Sequence, residues 1–264
     1  HGEVFVTEDG AETDMDLGHY ERFTGIISKK SDNITSGKIY SEVLKKERQG
    51  KYLGSTVQVI PHVTDEIKSF IQADLAEEDF IICEIGGTVG DIESLPFLEA
   101  IRQLRNELGK EKTCFIHLTL IPFIESSNEF KTKPTQHSVK ELLSVGIQPD
   151  ILMCRTLKKI SNESKDKISL FCNISKESVI NAIDVKSIYQ VPEFLFDEKI
   201  HQRIFDHFNL SRKKNINLTK WKNFNKKLSS SKDSIEIAIV GKYTNLSESY
   251  KSLNEALFHS GCLL

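Results

Sequence analysis

Short apolar runs alternate along this chain with stretches in which apolar residues return every three or four positions. Residues 4–7, 57–60, 80–85, 114–121, 151–154, 168–172 and 235–240 are runs rich in β-branched and aromatic side chains, and they predict strands. Several are apolar throughout, as strands covered on both faces of a parallel sheet are. Helical patterns lie between them. Residues 37–49 put Ile39, Val43 and Leu44 on one face, and residues 64–74 do the same with Ile67, Phe70 and Ile71, with Thr64 at a capping position. Residues 95–108 repeat Leu98, Ile101, Leu104 and Leu108, and residues 134–145 open with Pro134 and stop at Gly146. Strands alternating with helices predict an α/β fold, a doubly wound and mostly parallel sheet.

The pattern changes after residue 197. Residues 197–234 are rich in Lys, Asn and Ser, hold the single tryptophan, Trp221, and predict short amphipathic helices joined by a polar linker. The run IEIAIVG at 235–241 then restarts a strand, followed by a helix from about Ser247. This reads as the first β-α unit of a second α/β domain. The divisions fall at 1–208, 209–234 and 235–264.

Composition narrows the class. The chain has 264 residues, 39% of them hydrophobic and 28% charged, enough for a packed core. A net charge of −3 gives no basic field for nucleic acid or a membrane surface. No apolar run approaches the ~20 residues that span a bilayer, and the N-terminus HGEVFVTEDG lacks the basic and apolar regions of a secretory signal. The five cysteines are odd in number and form no C-x-x-C pair, which predicts buried reduced thiols and a cytoplasmic location. Sequons such as Asn33, Asn173 and Asn245 then read as chance. The chain starts at His1 rather than Met and stops at GCLL just after a helical pattern, so both ends read as cut from something longer.

Three stretches carry candidate chemistry. In FIICEIGGTVGDIES, residues 80–94, an apolar run ends at Glu84, and Gly86, Gly87 and Gly90 precede Asp91 and Glu93. Ligands of open parallel sheets bind beyond the carboxyl ends of the strands. A carboxylate there can hold a divalent cation, and glycines let backbone N–H groups approach a ligand. The bland reading is a polar turn with Asp91 near the next helix cap. A second acidic cluster, Glu8 to Asp16, follows the first strand. Its alternating acids lack the twelfth-position carboxylate of a calcium loop, and a solvated loop is its simplest reading. The third stretch, Lys131-Thr132-Lys133-Pro134-Thr135-Gln136-His137, puts two lysines at a helix N-terminus, where charge and free N–H groups favour a polyanion. A basic solvated loop is the alternative. No G-x-x-x-x-G-K-[ST] loop, G-x-S-x-G elbow or H-E-x-x-H motif occurs.

Taken together, HGEVFVTEDGAETDMDLGHYERF, GSTVQVIPHVTDEIK, CEIGGTVGDIESLPFLEAIRQ, KTKPTQHSVKELLSVGIQPDIL and ISLFCN strongly resemble the N-terminal synthetase (amidoligase) domain of the CTP synthase family. The resemblance runs over residues 1–191 and again over 235–261, and is weakest in 209–234. It implies a P-loop/dethiobiotin-synthetase-like fold over 1–208, a linker, and the opening of a glutamine amidotransferase domain from 235. It also implies a ligase reaction of pyrimidine biosynthesis. ATP phosphorylates O4 of UTP, and ammonia released from glutamine displaces the phosphate at C4 to give CTP. By matching motif, Asp16 and Glu84 correspond to the Mg2+ ligands. Asp91, Ile92, Glu93, Lys131, Thr132, Lys133, Pro134, Thr135, Gln136 and Lys167 correspond to the UTP/CTP site. Gln58, His62, Glu99, Arg102 and Phe171 lie near it by the same matching, and Asp184 corresponds to an ATP contact. Taken by themselves, Glu99 and Arg102 are a helix i,i+3 pair. The family further implies GTP as effector and a homo-tetramer.

The departures set the remaining expectations. The family's phosphate loop and catalytic lysine would precede His1, and its glutaminase cysteine would follow residue 264, so Cys262 is not assigned as a nucleophile and no catalytic residue is named. The chain alone is therefore expected not to turn over. Losing the family's first strand is expected to leave a neighbouring strand edge open. A second expectation is a non-catalytic fragment that docks into a CTP synthase oligomer. A third is another amidoligase of the same fold, distinguished by whether UTP or CTP binds.

Overall fold

A computed structural model describes residues 4–73, 78–211, 216–230, 234–245 and 247–263. In chain order the strands are β1 (Phe5–Val6), β2 (Glu12–Thr13), β3 (Ile116–Leu120), β4 (Phe123–Ile124), β5 (Glu129–Phe130), β6 (Ile151–Thr156) and β7 (Val179–Ile183). The α-helices are α1 (Asp16–Thr24), α2 (Ser36–Arg48), α3 (Thr64–Ile71), α4 (Leu95–Leu108), α5 (Lys133–Ser144), α6 (Asn162–Cys172), α7 (Val191–Asp197), α8 (Ile200–His207), α9 (Thr219–Ser230) and α10 (Lys251–Leu263). The chain divides into two units, residues 39–218, and residues 1–38 with 219–264.

In the larger unit, β3, β6 and β7 form a parallel sheet in the order β3-β6-β7. Ile116 lies opposite Ile151, and Leu152 opposite Val179. The crossovers run through α5 and α6, as parallel neighbours require. Ile121, Val139, Leu152, Cys154, Ile160, Ile168, Cys172 and Val179 make one buried cluster beneath these two helices. A second cluster joins Leu98 of α4 to Leu142 and Ile147. The mixed α/β architecture expected from the alternating pattern is present. The pattern also places helices α2, α3, α4 and α5 within a few residues of their observed bounds. The predicted helix 64–74 ends at Ile71, and Asp74 lies outside the described residues. Thr64 does not cap α3: its hydroxyl donates back to the Pro61 carbonyl at 2.9 Å.

Four expected strands need correction. Residues 168–172 are the last turn and a half of α6, where Ile168 and Cys172, four apart, share the buried face. Ser161 starts that helix by accepting from the Ser164 N–H at 3.1 Å. Residues 57–60 run into a helical turn, Val59–Val63, that feeds α3. Residues 80–85 and 235–240 have no ladder partner among the described residues, and Ile82 and Val240 are 96% and 97% exposed. An apolar run becomes a strand only where a neighbour supplies the complementary N–H and C=O groups. Conversely, β7 escaped the reading because Asn181 interrupts its apolar run. Of the cysteines, Cys154 and Cys172 are buried and Cys114 and Cys262 half-buried, but Cys83 is exposed, against expectation.

In the smaller unit, β1 pairs antiparallel with β2, Phe5 opposite Thr13. Phe23 of α1 stacks on Trp221 of α9 with ring centroids 5.5 Å apart, and Phe224 meets His259 of α10 edge-on at 5.6 Å. The short helices expected after residue 197 are α8 and α9, and the helix expected near Ser247 is a turn at Ser247–Tyr250 leading into α10. No helix among the described residues is long and apolar enough to cross a membrane.

Candidate functional site

Beyond the carboxyl end of β3 the chain makes the β4–β5 hairpin, whose Phe123 and Phe130 rings lie 5.0 Å apart, and then enters α5. Three residues of the basic stretch hold this helix start in place. The Thr135 hydroxyl donates to the Leu120 carbonyl at 3.2 Å and lies 3.1 Å from the Thr119 hydroxyl. Gln136 donates through Nε2 to the Thr132 hydroxyl at 3.0 Å. Thr132, Thr135 and Gln136 are accordingly buried. Pro134 sits in the first turn, where its missing N–H costs nothing.

The lysines behave differently. Lys131 Nζ donates to Glu129 Oε2 at 2.6 Å. Lys133, the first residue of α5, places Nζ 5.8 Å from the centroid of the Phe171 ring on α6. The Lys131 hydrogen bond, then the charges of Lys131 and Lys167, hold the Glu129 carboxyl below the usual carboxylate range. The hairpin, the α5 N-terminus and α6 thus gather Lys131, Lys133, Lys167 and the exposed ring of Phe171. Lysines gathered beside a helix N-terminus suit a polyanion. An exposed aromatic face suits a planar base.

The glycine-rich stretch forms a tight loop. Gly87 and Gly90 have φ of +90° and +105°, in the left-handed region that favours glycine. The Asp91 carboxylate accepts from the Thr88 N–H at 3.1 Å, and the Ser94 hydroxyl donates to the Asp91 carbonyl at 2.9 Å. The bland reading of Asp91 as a turn residue therefore has a structural basis. Ile92, Glu93 and Glu84 are exposed. On α4, Arg102 grips Glu99 with two hydrogen bonds of 2.9 and 2.7 Å, and Gln103 adds a third at 2.7 Å. Arg102 holds the Glu99 carboxyl low against the opposing effect of burial. The helix neighbours account for that pair unaided. The Gln58 backbone N–H donates to His62 Nδ1 at 3.0 Å, and the His62 ring meets Tyr52 edge-on at 4.6 Å.

At the carboxyl ends of β6 and β7, Arg155 Nε donates to Asp184 Oδ1 at 2.8 Å. The neighbouring Thr156 hydroxyl is buried and has no hydrogen-bond partner among the described residues, a second polar feature at this rim. Asp16 is exposed at the first position of α1 and belongs to the smaller unit, whereas Glu84 belongs to the larger. As exposed carboxylates, both are the hard oxygen donors that magnesium takes.

One constellation was not legible in the chain order. Cys114, Asp150 and His207 bring a sulfur, a carboxylate oxygen and a ring nitrogen within 4.8 Å of one another. Asp150 also holds Arg105 through two bonds of 2.9 Å and the Phe115 N–H at 2.8 Å. These residues come from four separate segments with no shared motif, so only folding brings them together.

The sequence profile described as "CTP synthase N-terminus" matches residues 1–210. The CTP synthases of Pelagibacter ubique (strain HTCC1062) and Rhodospirillum rubrum are each 60% identical to the chain over 261 residues, and that of Paramagnetospirillum magneticum is 61% identical. Each alignment covers 99% of this chain and 48% of the relative. The chain therefore spans about half the length of the curated relatives it matches. An α/β domain with a parallel sheet, matched to one family profile over residues 1–210 and to these relatives over nearly its whole length, belongs to the CTP synthase family.

Proposed function

We propose that the chain contributes the pyrimidine-nucleotide site to a glutamine-dependent CTP synthase, which aminates UTP to CTP at the expense of ATP. The observation that carries this reading is the gathering of Lys131, Lys133, Lys167 and Phe171 around the β4–β5 hairpin. The lysines would neutralise the triphosphate of UTP or of inhibitory CTP, and Asp91, Ile92 and Glu93 would approach it from the glycine loop. Thr132, Pro134, Thr135 and Gln136 would shape the helix start against which it lies. Gln58, His62, Glu99 and Arg102 would stand nearby.

Asp184 and the unpartnered Thr156 hydroxyl would face ATP at the β6–β7 rim. Asp16 and Glu84 would hold Mg2+, which when bound offsets the negative charge on the phosphates. In the proposed reaction the γ-phosphoryl group of ATP passes to O4 of UTP, leaving ADP. Ammonia then forms the C4–N bond as the phosphate departs with O4. Domain bounds of 1–208 for the synthetase, 209–234 for a linker and 235–264 for the start of the amidotransferase accompany this reading, as do a cytoplasmic tetramer and GTP as effector. Residues 1–264 contain no phosphate loop, so these residues by themselves are proposed not to turn over.

Calorimetric titration of the chain with UTP and CTP tests the site. Each charge-assisted contact contributes ~1.5–3 kcal/mol, so Lys131→Ala or Lys133→Ala should weaken binding by about 10- to 100-fold. Unchanged affinity in both variants would remove the lysines from the site. A chimera carrying residues 1–264 in place of the matched part of the Pelagibacter ubique relative should form CTP from UTP, ATP and ammonia. A second reading, a non-catalytic fragment that docks into an oligomer, draws on the exposed apolar residues Ile82, Leu118 and Leu120. It predicts co-purification with a full-length relative and no nucleotide binding by the chain alone.

A further inference from the structure

The Cys114, Asp150 and His207 cluster lies at the amino ends of the sheet, where Cys114 precedes β3 and Asp150 precedes β6. Ligands of open parallel sheets bind at the opposite, carboxyl rim. The nucleotide chemistry proposed above therefore does not use it.

The hydrogen bonds of His207 fix its tautomer. Nε2 lies 2.7 Å from the Thr113 carbonyl and 3.2 Å from the Lys110 carbonyl. Carbonyls only accept, so Nε2 carries a proton and donates it. A neutral ring then presents the bare lone pair of Nδ1, and that atom lies 3.8 Å from Asp150 Oδ1. At this separation a cation between the two atoms draws them together, and either a proton on Nδ1 or a metal ion supplies it. A ring whose far N–H is anchored on a backbone carbonyl is also how metal-bound histidines are held. The Asp150 carboxylate is equally fixed, by Arg105 and the Phe115 N–H, and Oδ1 keeps a lone pair that Arg105 does not take. Cys114 supplies the third donor atom. The side chains of Asp150 and His207 are 8% and 13% exposed, so water competes poorly for the site.

We propose that Cys114 Sγ, Asp150 Oδ1 and His207 Nδ1 form a binding site for a divalent transition-metal ion of the zinc type. Mixed sulfur, nitrogen and oxygen donors select such ions over magnesium or calcium. A tetrahedral zinc ion holds N and O ligand atoms about 3.3 Å apart and N and S about 3.6 Å apart. The 3.8 Å between Nδ1 and Oδ1, and separations that all fall within 4.8 Å, need closure of about 1.2 Å at most. The Cys114 proton leaves to solvent as the thiolate binds. Two anionic ligands balance the charge of the ion, and Arg105 leaves a net positive site. Bound there, the ion would tie α8 to the starts of β3 and β6 and so strengthen the sheet remote from the nucleotide.

The test is a zinc titration of the reduced, chelator-treated chain against a chromophoric competitor, with cobalt as a spectroscopic substitute. The expected result is one equivalent of tight zinc and a thiolate-to-cobalt charge-transfer band. Cys114→Ser should abolish the band, and both Cys114→Ser and His207→Gln should lower zinc affinity by at least about 10-fold. The glutamine can still donate to the Thr113 carbonyl, so that variant separates lost ligation from lost folding. Cys83→Ser and Cys262→Ser should bind as the parent does. Absence of stoichiometric zinc, or affinity that survives in either Cys114→Ser or His207→Gln, overturns the site.

Discussion

Asn181 offers the sharpest test of how this fold is held. It lies in the middle of β7, is 0% exposed, and interrupts the apolar run of its strand. Its side chain bridges two elements. Oδ1 accepts from the Ile160 N–H at 3.0 Å, and Nδ2 donates to Glu198 Oε2 at 2.6 Å, at the end of α7. The Asn181 backbone N–H reaches the same carboxylate at 3.1 Å, and Lys165 lies 3.5 Å from it. Burial pushes the Glu198 carboxyl up, but the Asn181 bonds and the charges of Lys165 and Lys159 outweigh it and hold the carboxyl below its ordinary range. Replacing Asn181 by Leu keeps the number and branching of side-chain heavy atoms and removes both side-chain bonds. The Ile160 N–H is then buried without an acceptor, at ~1–3 kcal/mol, and the carboxylate loses a charged hydrogen bond of ~1.5–3 kcal/mol. A total of ~3–5 kcal/mol follows, or a urea midpoint lowered by ~1–2 M for a slope of ~3 kcal/mol/M. Asn181→Asp should be worse at neutral pH, because two carboxylates then face each other. Its deficit should shrink as the pH falls and one of them protonates. A loss under ~1 kcal/mol for Asn181→Leu, with the slope unchanged, would mean that the bridge is not what joins β7 to α7.

Two further outcomes are expected. Burial, opposed by the Thr119 hydroxyl, pushes the Cys154 thiol from 9.0 up to about 12. The folded state therefore keeps its proton longer than the unfolded chain. The associated stability is complete below pH 9 and is lost as pH rises towards 12. About 2 kcal/mol should be gone by ~pH 10.5, and in Cys154→Ala urea denaturation should show a weaker decline over that range. Gly146 follows α5 with φ of +82°, and a Cβ there would stand 2.9 Å from Arg102 Cδ. Gly146→Ala should cost ~1–2 kcal/mol in thermal or urea melts, whereas Gly25→Ala, with comparable φ and open space around it, should cost less.

What the sequence determined by itself was whatever is written locally. The repeats of Leu98, Ile101 and Leu104 marked α4, and Pro134 and Gly146 bounded α5, because helical periodicity and its stop signals need no distant partner. The placement of two lysines at the α5 N-terminus was legible for the same reason. Tertiary structure decided everything that depends on a neighbour. The run at 168–172 packs as a helix because Ile168 and Cys172 meet the sheet on one face, while residues 80–85 and 235–240, equally apolar, find no ladder among the described residues. Asn181, which hid β7 in the sequence, is satisfied only once Ile160 and Glu198 arrive beside it. Likewise Lys133 meets Phe171, and Cys114 meets Asp150 and His207, only after the crossovers are folded. Periodicity is a property of a segment, but hydrogen-bond satisfaction and charge pairing are properties of two segments at once, and the chain order does not state which two will meet.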